Sequence, residues 1–221
     1  GSDADLGIAH DGDADRMMAV TDDGEFVPGD VLLALFAREA VGPGDRVAVP
    51  VDTSLLVADT LEAVGAEVVL TRVGDVFVAE RTTEEGVVFG GEPSGAWIFP
   101  ENTLCPDGPL AAAKLVEFVA ERGSLAEEVE SIKRYPTRRT TLEVTEKTTV
   151  MEQITTAVQT EYDAVDTLDG VRVDLGDAWF LVRASGTQPL IRVTAEAREP
   201  QRADAVFETA RELVERHAET H

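Results

Sequence analysis

Three carboxylates at alternate positions, Asp11, Asp13 and Asp15, followed at once by Arg16, stand in the stretch HDGDADRMMAV at residues 10–20. Alternate spacing in a loop lets three side chains converge, and carboxylates that close repel one another unless a positive charge lies between them. An oxygen-seeking dication resolves the conflict. Mg2+ is the natural candidate, because it takes few carboxylates in octahedral geometry. A solvated acidic turn is the plain alternative. An EF-hand loop also begins D-x-D-x-D, but it needs glycine at the sixth position, where Arg16 stands, and flanking helices, where the flanks read as strands.

Two further loops carry chemistry. GGEPSGAW, Gly90 to Trp97, follows the apolar run VVF. Its glycines permit close backbone approach, while Glu92 offers an acceptor and Ser94 a donor, groups that suit the hydroxyls of a polyol better than an anion. A turn at a strand end is the simpler reading of it. RASGTQPLIRV, Arg183 to Val193, sets Arg183, the hydroxyls of Ser185 and Thr187, the amides near Gly186, and Arg192 around one bend. Guanidinium forks and exposed amides cradle a phosphate well. The alternative is a hairpin with chance polar residues.

These loops need elements to hold them. Residues 5–10 and 17–21 read as strands around the acidic loop, a turn follows at 22–25, and EFVP extends the meander. Apolar periodicity then predicts a helix over 29–41 ended by Gly42-Pro43, strand 46–51, helix 53–65, strand 67–73, helix 75–85, strand 87–92, helix 107–123 and a short helix at 125–132. Strands alternating with helices of this length predict an α/β domain of βαβ units on a mainly parallel sheet. Pro136 and the basic KRYPTRRT cluster mark a boundary near 133–137. Beyond it, strand 139–145, helix 148–161, strands 171–175, 178–184 and 190–197 and helix 200–218 predict an α+β domain with a largely antiparallel sheet. The expected division is thus 1–27 as the tail of a preceding domain with the metal loop, 28–134 as the α/β domain with the sugar loop, and 135–221 as the phosphate-binding domain.

The 221 residues carry 19 basic against 43 acidic side chains, a net charge of −24, with 43% hydrophobic residues. So acidic a surface repels duplex DNA and anionic membranes, so nucleic-acid and membrane partners are not expected. The apolar content and clear periodicity argue against disorder. Concentrated salt would screen the self-repulsion, which reads as the cytosolic protein of a halophile. The single Cys105 excludes an intrachain disulfide and suits a reducing, cytoplasmic interior. No run approaches 18 uninterrupted apolar residues.

Taken in order, DGDADR, GGEPSG and RASGTQP resemble the motifs of the α-D-phosphohexomutase superfamily, and the likeness extends over essentially the whole chain. The resemblance implies a four-domain enzyme that moves a phosphoryl group between the 1- and 6-positions of a hexose phosphate through a bisphosphate intermediate and a phosphoserine. It implies that Asp11, Asp13 and Asp15 ligate Mg2+ and that Arg16 sits near the transferring phosphoryl group. Glu92 and Ser94 would hold sugar hydroxyls, and Arg183, Ser185, Gly186, Thr187 and Arg192 would grip the non-reacting phosphate of the hexose phosphate substrate. The family's catalytic serine lies in an upstream S-H-N loop that has no counterpart here, since none of His10, His217 and His221 follows a serine. The chain therefore resembles the C-terminal half of such an enzyme, expected to bind but not to turn over alone, with the N-terminal half of the same protein as its partner. Two positions depart from the pattern: Ala96 where many relatives have His, and Gln188 where Glu is usual. RVGDVFV at 72–78 resembles the phosphoglucosamine mutase branch, which has Gly-Asp there, although Asp75 also reads as a helix N-cap. Phosphomannomutase or phosphoglucomutase specificity, a sugar-phosphate-binding module without catalysis, and a structural metal-binding protein are the competing readings.

Overall fold

A computed structural model describes residues 4–218. By its internal contacts the chain divides into two units, Gly1–Arg134 and Tyr135–His221, and the element types follow the pattern above: a mainly parallel sheet in the first unit and an antiparallel one in the second.

The first unit begins with an antiparallel hairpin, β1 (Leu6–His10) and β2 (Met17–Thr21), whose two ends flank the acidic loop. The run EFVP does not extend it as a strand; only an isolated bridge joins Val20 to Phe26. Helix α1 (Gly29–Ala40) is buried along Val31–Ala37, which explains why this stretch is apolar on all faces rather than on one. Strands β3 (Arg46–Pro50), β4 (Glu67–Thr71) and β5 (Val87–Gly91) pair in parallel about the central β3, and the two-residue β6 (Trp97–Ile98) adds an antiparallel edge to β5. The connecting helices α2 (Leu55–Glu62) and α3 (Asp75–Arg81) are shorter than the periodicity predicts. Residues 82–85 leave the helix because Thr82 and Thr83 turn their hydroxyls onto the carbonyls of Ala79 and Glu80, a common competitor of the helical ladder. Helices α4 (Gly108–Arg122) and α5 (Leu125–Ser131) begin at Asp107 and Ser124, whose side chains accept from the amides of Leu110 and Glu127.

An aromatic cluster forms part of the unit's core. The ring of Phe36 lies 5.4 Å from Trp97 and 5.7 Å from Phe99, and Phe99 lies 5.0 Å from Phe89, in tilted and edge-on arrangements that complement ring quadrupoles. Trp97 also reaches out of this cluster: its indole N–H donates to the Met17 carbonyl at 2.7 Å, both residues being fully buried. The Met17 amide in turn donates to the Gly95 carbonyl at 3.0 Å, and Arg16 bridges Ala96. The acidic hairpin is thereby stitched to the loop after β5.

The second unit is a five-stranded antiparallel sheet ordered β7 (Thr137–Glu143), β11 (Leu190–Ala197), β10 (Ala178–Ala184), β9 (Val171–Asp174) and β8 (Val165–Asp166). Helices α6 (Lys147–Glu161) and α7 (Pro200–Ala218) cover one face. Val150, Ile154 and Val158, spaced four apart, and Ala203, Val206, Ala210 and Val214 pack onto Val171, Val173, Phe180, Val182, Ile191, Val193 and Ala195. The opposite face carries Arg172 stacked 4.3 Å over Trp179, and Glu196, which accepts from the Trp179 indole and from Thr137. Arg183 and Arg192 stand directly across from one another on β10 and β11.

Replacing Trp97 with Phe keeps the ring in the cluster and leaves the buried Met17 carbonyl one donor short. That should weaken the seam by about 1–3 kcal/mol. Amide hydrogen exchange in Leu6–His10 and Met17–Thr21 should then accelerate by roughly one to two orders of magnitude. Unchanged protection in both strands would show that the indole does not hold the hairpin.

Candidate functional site

In the acidic loop, one oxygen from each of Asp11, Asp13 and Asp15 lies within 4.8 Å of those of the other two, and among the described residues this is the one such cluster of His, Cys, Asp or Glu side chains. Backbone geometry brings them together. Ala14 adopts φ 61°, the left-handed conformation that L-residues rarely take, and its amide donates to the Asp11 carbonyl at 3.3 Å. Helix α4 backs the loop through Gly108, where a Cβ would stand 2.5 Å from the Ala14 carbonyl and 2.9 Å from that of Arg16.

Arg16 is the counter-charge within this loop. Its Nε donates to Asp11 Oδ2 at 2.6 Å and its amide to Oδ1 at 3.3 Å, while Nε stays 3.7 Å from Asp15 Oδ1. Desolvation pushes the Asp11 carboxyl up, but the hydrogen bonds and charge of Arg16 outweigh it and hold the group below the ordinary aspartate value. Asp15 goes the other way: desolvation first, then the charges of Asp13 and Asp11, raise it. Asp15 Oδ1 is also buried with no hydrogen-bond partner. Clustered hard oxygens, one of them buried and unsatisfied, fit a divalent cation.

The second loop sits at the carboxyl end of β5, beside the loops that follow β3 and β4. The carboxyl edge of a parallel sheet is where α/β folds place ligands. Glu92, 9% exposed, accepts from the Gly74 amide at 2.6 Å and from the Ser94 hydroxyl at 3.2 Å. Backbone bonds from Glu92 N–H to the Ala96 carbonyl and from Gly95 N–H to the Glu92 carbonyl close the turn. Desolvation raises the Glu92 carboxyl above the ordinary glutamate value; the Gly74 and Ser94 hydrogen bonds oppose that rise, and the charges of Asp52 and Asp75 add to it. Asp75 is not the cap of α3. Gly74 takes that position, and Asp75 is the first helical residue, where its charge meets the helix dipole. Sequence reasoning missed Asp52 and Thr53, whose buried hydroxyl has no partner, as parts of this edge. Their position just after a βαβ strand was the available signal.

The third loop lies in the second unit, between β10 and β11. Arg183 is held by Asp169, Nη1 to Oδ2 at 2.9 Å, with both side chains largely shielded. Asp169 comes this close because the next residue is Gly170, at φ 86°, where a Cβ would stand 2.4 Å from the Val182 carbonyl. Ser185 is buried, and its hydroxyl oxygen accepts from the Gln188 amide at 3.3 Å. Gly186 and Thr187 are exposed, their amides without an acceptor among the described residues, and Arg192 is exposed on β11. Asp169 and Lys147, which bonds this loop, were missed; neither lies in the motif.

The chain matches the family model described as phosphoglucomutase/phosphomannomutase, alpha/beta/alpha domain III, over residues 28–135, and the one described as phosphoglucomutase/phosphomannomutase, C-terminal domain, over 140–213. It is 49% identical to a probable phosphoglucosamine mutase of Methanopyrus kandleri across 99% of this chain and 49% of that protein. Against the protein of the same name from Methanosarcina barkeri it is 50% identical across 95% of this chain and 48% of that protein. A solved phosphoglucomutase/phosphomannomutase family protein from Burkholderia thailandensis superposes with a TM-score of 0.86 at 26% identity, covering 98% of this chain and 47% of the other. The chain spans about half the length of these relatives.

Two outcomes test the first unit. Adding Mg2+ should raise the melting temperature of the chain in proportion to the logarithm of its concentration. Asp15→Asn should abolish that rise while raising the metal-free melting temperature; equal metal responses in both chains would mean that these carboxylates hold no ion. At Glu92 the raised carboxyl means that the native state binds its proton more tightly than the unfolded chain does. Stability contributed by the protonated form is therefore present at low pH and lost as pH climbs from the ordinary glutamate value through the raised one. The stability of the natural chain minus that of Glu92→Gln should fall across that window and level off above it; denaturation at a series of pH values giving a flat difference would contradict the burial assigned to Glu92.

Proposed function

Because the chain belongs to the phosphoglucomutase/phosphomannomutase family, we propose that it supplies the metal-, sugar- and phosphate-binding parts of a phosphohexomutase, of phosphoglucosamine mutase type. The observation that carries this reading is the acidic loop. Three convergent carboxylates with one orphaned oxygen lie on a hairpin whose Met17 amide bonds the Gly95 carbonyl, beside Glu92 and Ser94, which supports reading the two loops as one cation- and sugar-binding unit. The names of the two archaeal relatives and the Gly74-Asp75 pair favour glucosamine phosphate as substrate.

In this reading Asp11, Asp13 and Asp15 hold Mg2+, which when bound would neutralise charge on a transferring phosphoryl group. Arg16 keeps Asp11 ionised and oriented, and its half-exposed guanidinium remains able to meet an anion. Glu92, kept in place by Gly74 and Ser94, receives a sugar hydroxyl. In the second unit Arg183, steered by Asp169, joins Ser185, Gly186, Thr187 and Arg192 around the phosphate that does not react. Phosphoryl transfer depends mainly on positioning and charge neutralisation, which is what such loops provide. By the family resemblance, the phosphoserine belongs to an N-terminal half, and residues 1–27 are the end of a domain that precedes the α/β domain at 28–134. The C-terminal domain is 135–221.

Arg183→Ala should weaken binding of glucosamine 6-phosphate to the chain by about 1.5–3 kcal/mol, the worth of a charge-assisted hydrogen bond. Titration calorimetry returning the same affinity for both chains would remove the phosphate assignment. Mannose 6-phosphate bound as tightly as glucosamine 6-phosphate would remove the specificity.

A further inference from the structure

Lys147 stands where elementary electrostatics would not put a cation. It is the first residue of α6, at the positive end of the helix dipole, and the first turn of that helix contains no acidic residue in a chain with 43 of them. Its cap residue, Glu146, makes no side-chain capping bond. A local rule broken this way points to a compensating contact elsewhere. The ammonium group bonds the Ser185 carbonyl and, at 2.9 Å, the Gln188 carbonyl, so it spans the two ends of the segment Gly186–Thr187.

That contact controls which way the loop presents its dipoles. A trans peptide holds C=O and N–H antiparallel. With the Ser185 carbonyl drawn to Lys147, the amide of Gly186 points away from it. The Gln188 amide is likewise taken inward, onto the Ser185 hydroxyl oxygen, which leaves the hydroxyl proton free to be donated elsewhere. The ends of the loop are braced by backbone bonds from Ser185 N–H to the Leu190 carbonyl and from Val144 N–H to the Pro189 carbonyl. Between those braces, Lys147 is the side chain that holds carbonyls inward. The Leu190 amide also holds the Gln188 carbonyl, at 2.9 Å, so without Lys147 it is the Ser185 carbonyl that would be free to turn toward an incoming anion and repel it. Lys147 also lines, with Arg183, Asp169 and Gly170, a cleft of about 620 Å³ in this unit.

We propose that Lys147 is a positioning residue of the phosphate loop: by binding the Ser185 carbonyl it aims the Gly186 amide at a phosphate, and by binding the Gln188 carbonyl it ties the far end of the loop to the same point. This rests on the reading of RASGTQP as the phosphate cradle. The test uses the 15N-labelled chain titrated with inorganic phosphate. In the natural chain the Gly186 amide proton should move downfield and saturate. Lys147→Met should lose that saturating shift and bind about tenfold more weakly, with the dispersed signals of α6 and α7 unchanged. Lys147→Arg, which can still reach two carbonyls, should restore both shift and affinity to within about threefold.

A Lys147→Met chain that responds like the natural one overturns the proposal. So does one that binds weakly but reaches the same amide shifts at saturation, which would assign Lys147 a charge and no positioning role. Collapse of the α6 and α7 signals, or failure of Lys147→Arg to rescue, would make the residue merely structural. If the natural chain itself shows no amide response to phosphate, and Arg183→Ala is equally inert, it is the phosphate cradle that fails, and the role of Lys147 falls with it.

Discussion

The bond from the Trp97 indole to the Met17 carbonyl, with the Arg16–Ala96 bridge beside it, is the constraint on which the acidic loop depends. A two-stranded hairpin is marginal on its own in water. The strands β1 and β2 carry three converging carboxylates at their tip, which makes them less stable still. They acquire a defined position because Met17 is buried against the unit and because Trp97 belongs at once to the aromatic cluster of Phe36, Phe89 and Phe99 and to the seam. The apolar core of the α/β unit thus fixes where the oxygens of Asp11, Asp13 and Asp15 stand relative to Glu92.

The departures from local preference gather at these loops. Ala14 takes a left-handed φ between two of the aspartates, Asp15 buries an oxygen without a partner, Glu92 is desolvated near Asp52 and Asp75, and Lys147 puts a cation at the positive end of a helix. Each costs stability where it stands, and each is held by well-packed surroundings. Functional sites are where a fold tolerates such conflict, because an arrangement already under repulsion gains most when a ligand of opposite charge arrives. The helices and strands away from the loops obey the ordinary rules, with Asp107 and Ser124 at helix caps and apolar residues four apart on α6.

Each unit also assigns its charges to partners rather than leaving them to the field of the whole chain. Arg16 is occupied by Asp11, Arg183 by Asp169 and Arg172 by the Trp179 ring. The net charge of −24 therefore describes the surface and says little about the sites, where cations are few and specifically placed.

The sequence by itself determined the kinds of element, their order and the loops that carry chemistry. Periodicity reports which residues face a core, and Gly, Pro and clustered polar residues report where the chain turns; α1, β10, β11 and α7 follow that pattern almost to the residue. The two-residue strands β6 and β8 were invisible because two residues have no period, and β7 starts earlier than its pattern because Thr137 pairs with Glu196. Only the tertiary structure decided who meets whom. Trp97 bonds a carbonyl 80 positions away, Lys147 one 38 positions away, and Glu92 an amide 18 positions away. Hydrophobic burial is non-directional, so it chooses faces without choosing partners. The partners of Glu92, Arg183 and Ser185 were settled by close backbone approach at Gly170, by strand order and by buried donors that had to be satisfied, and none of these is written in local spacing.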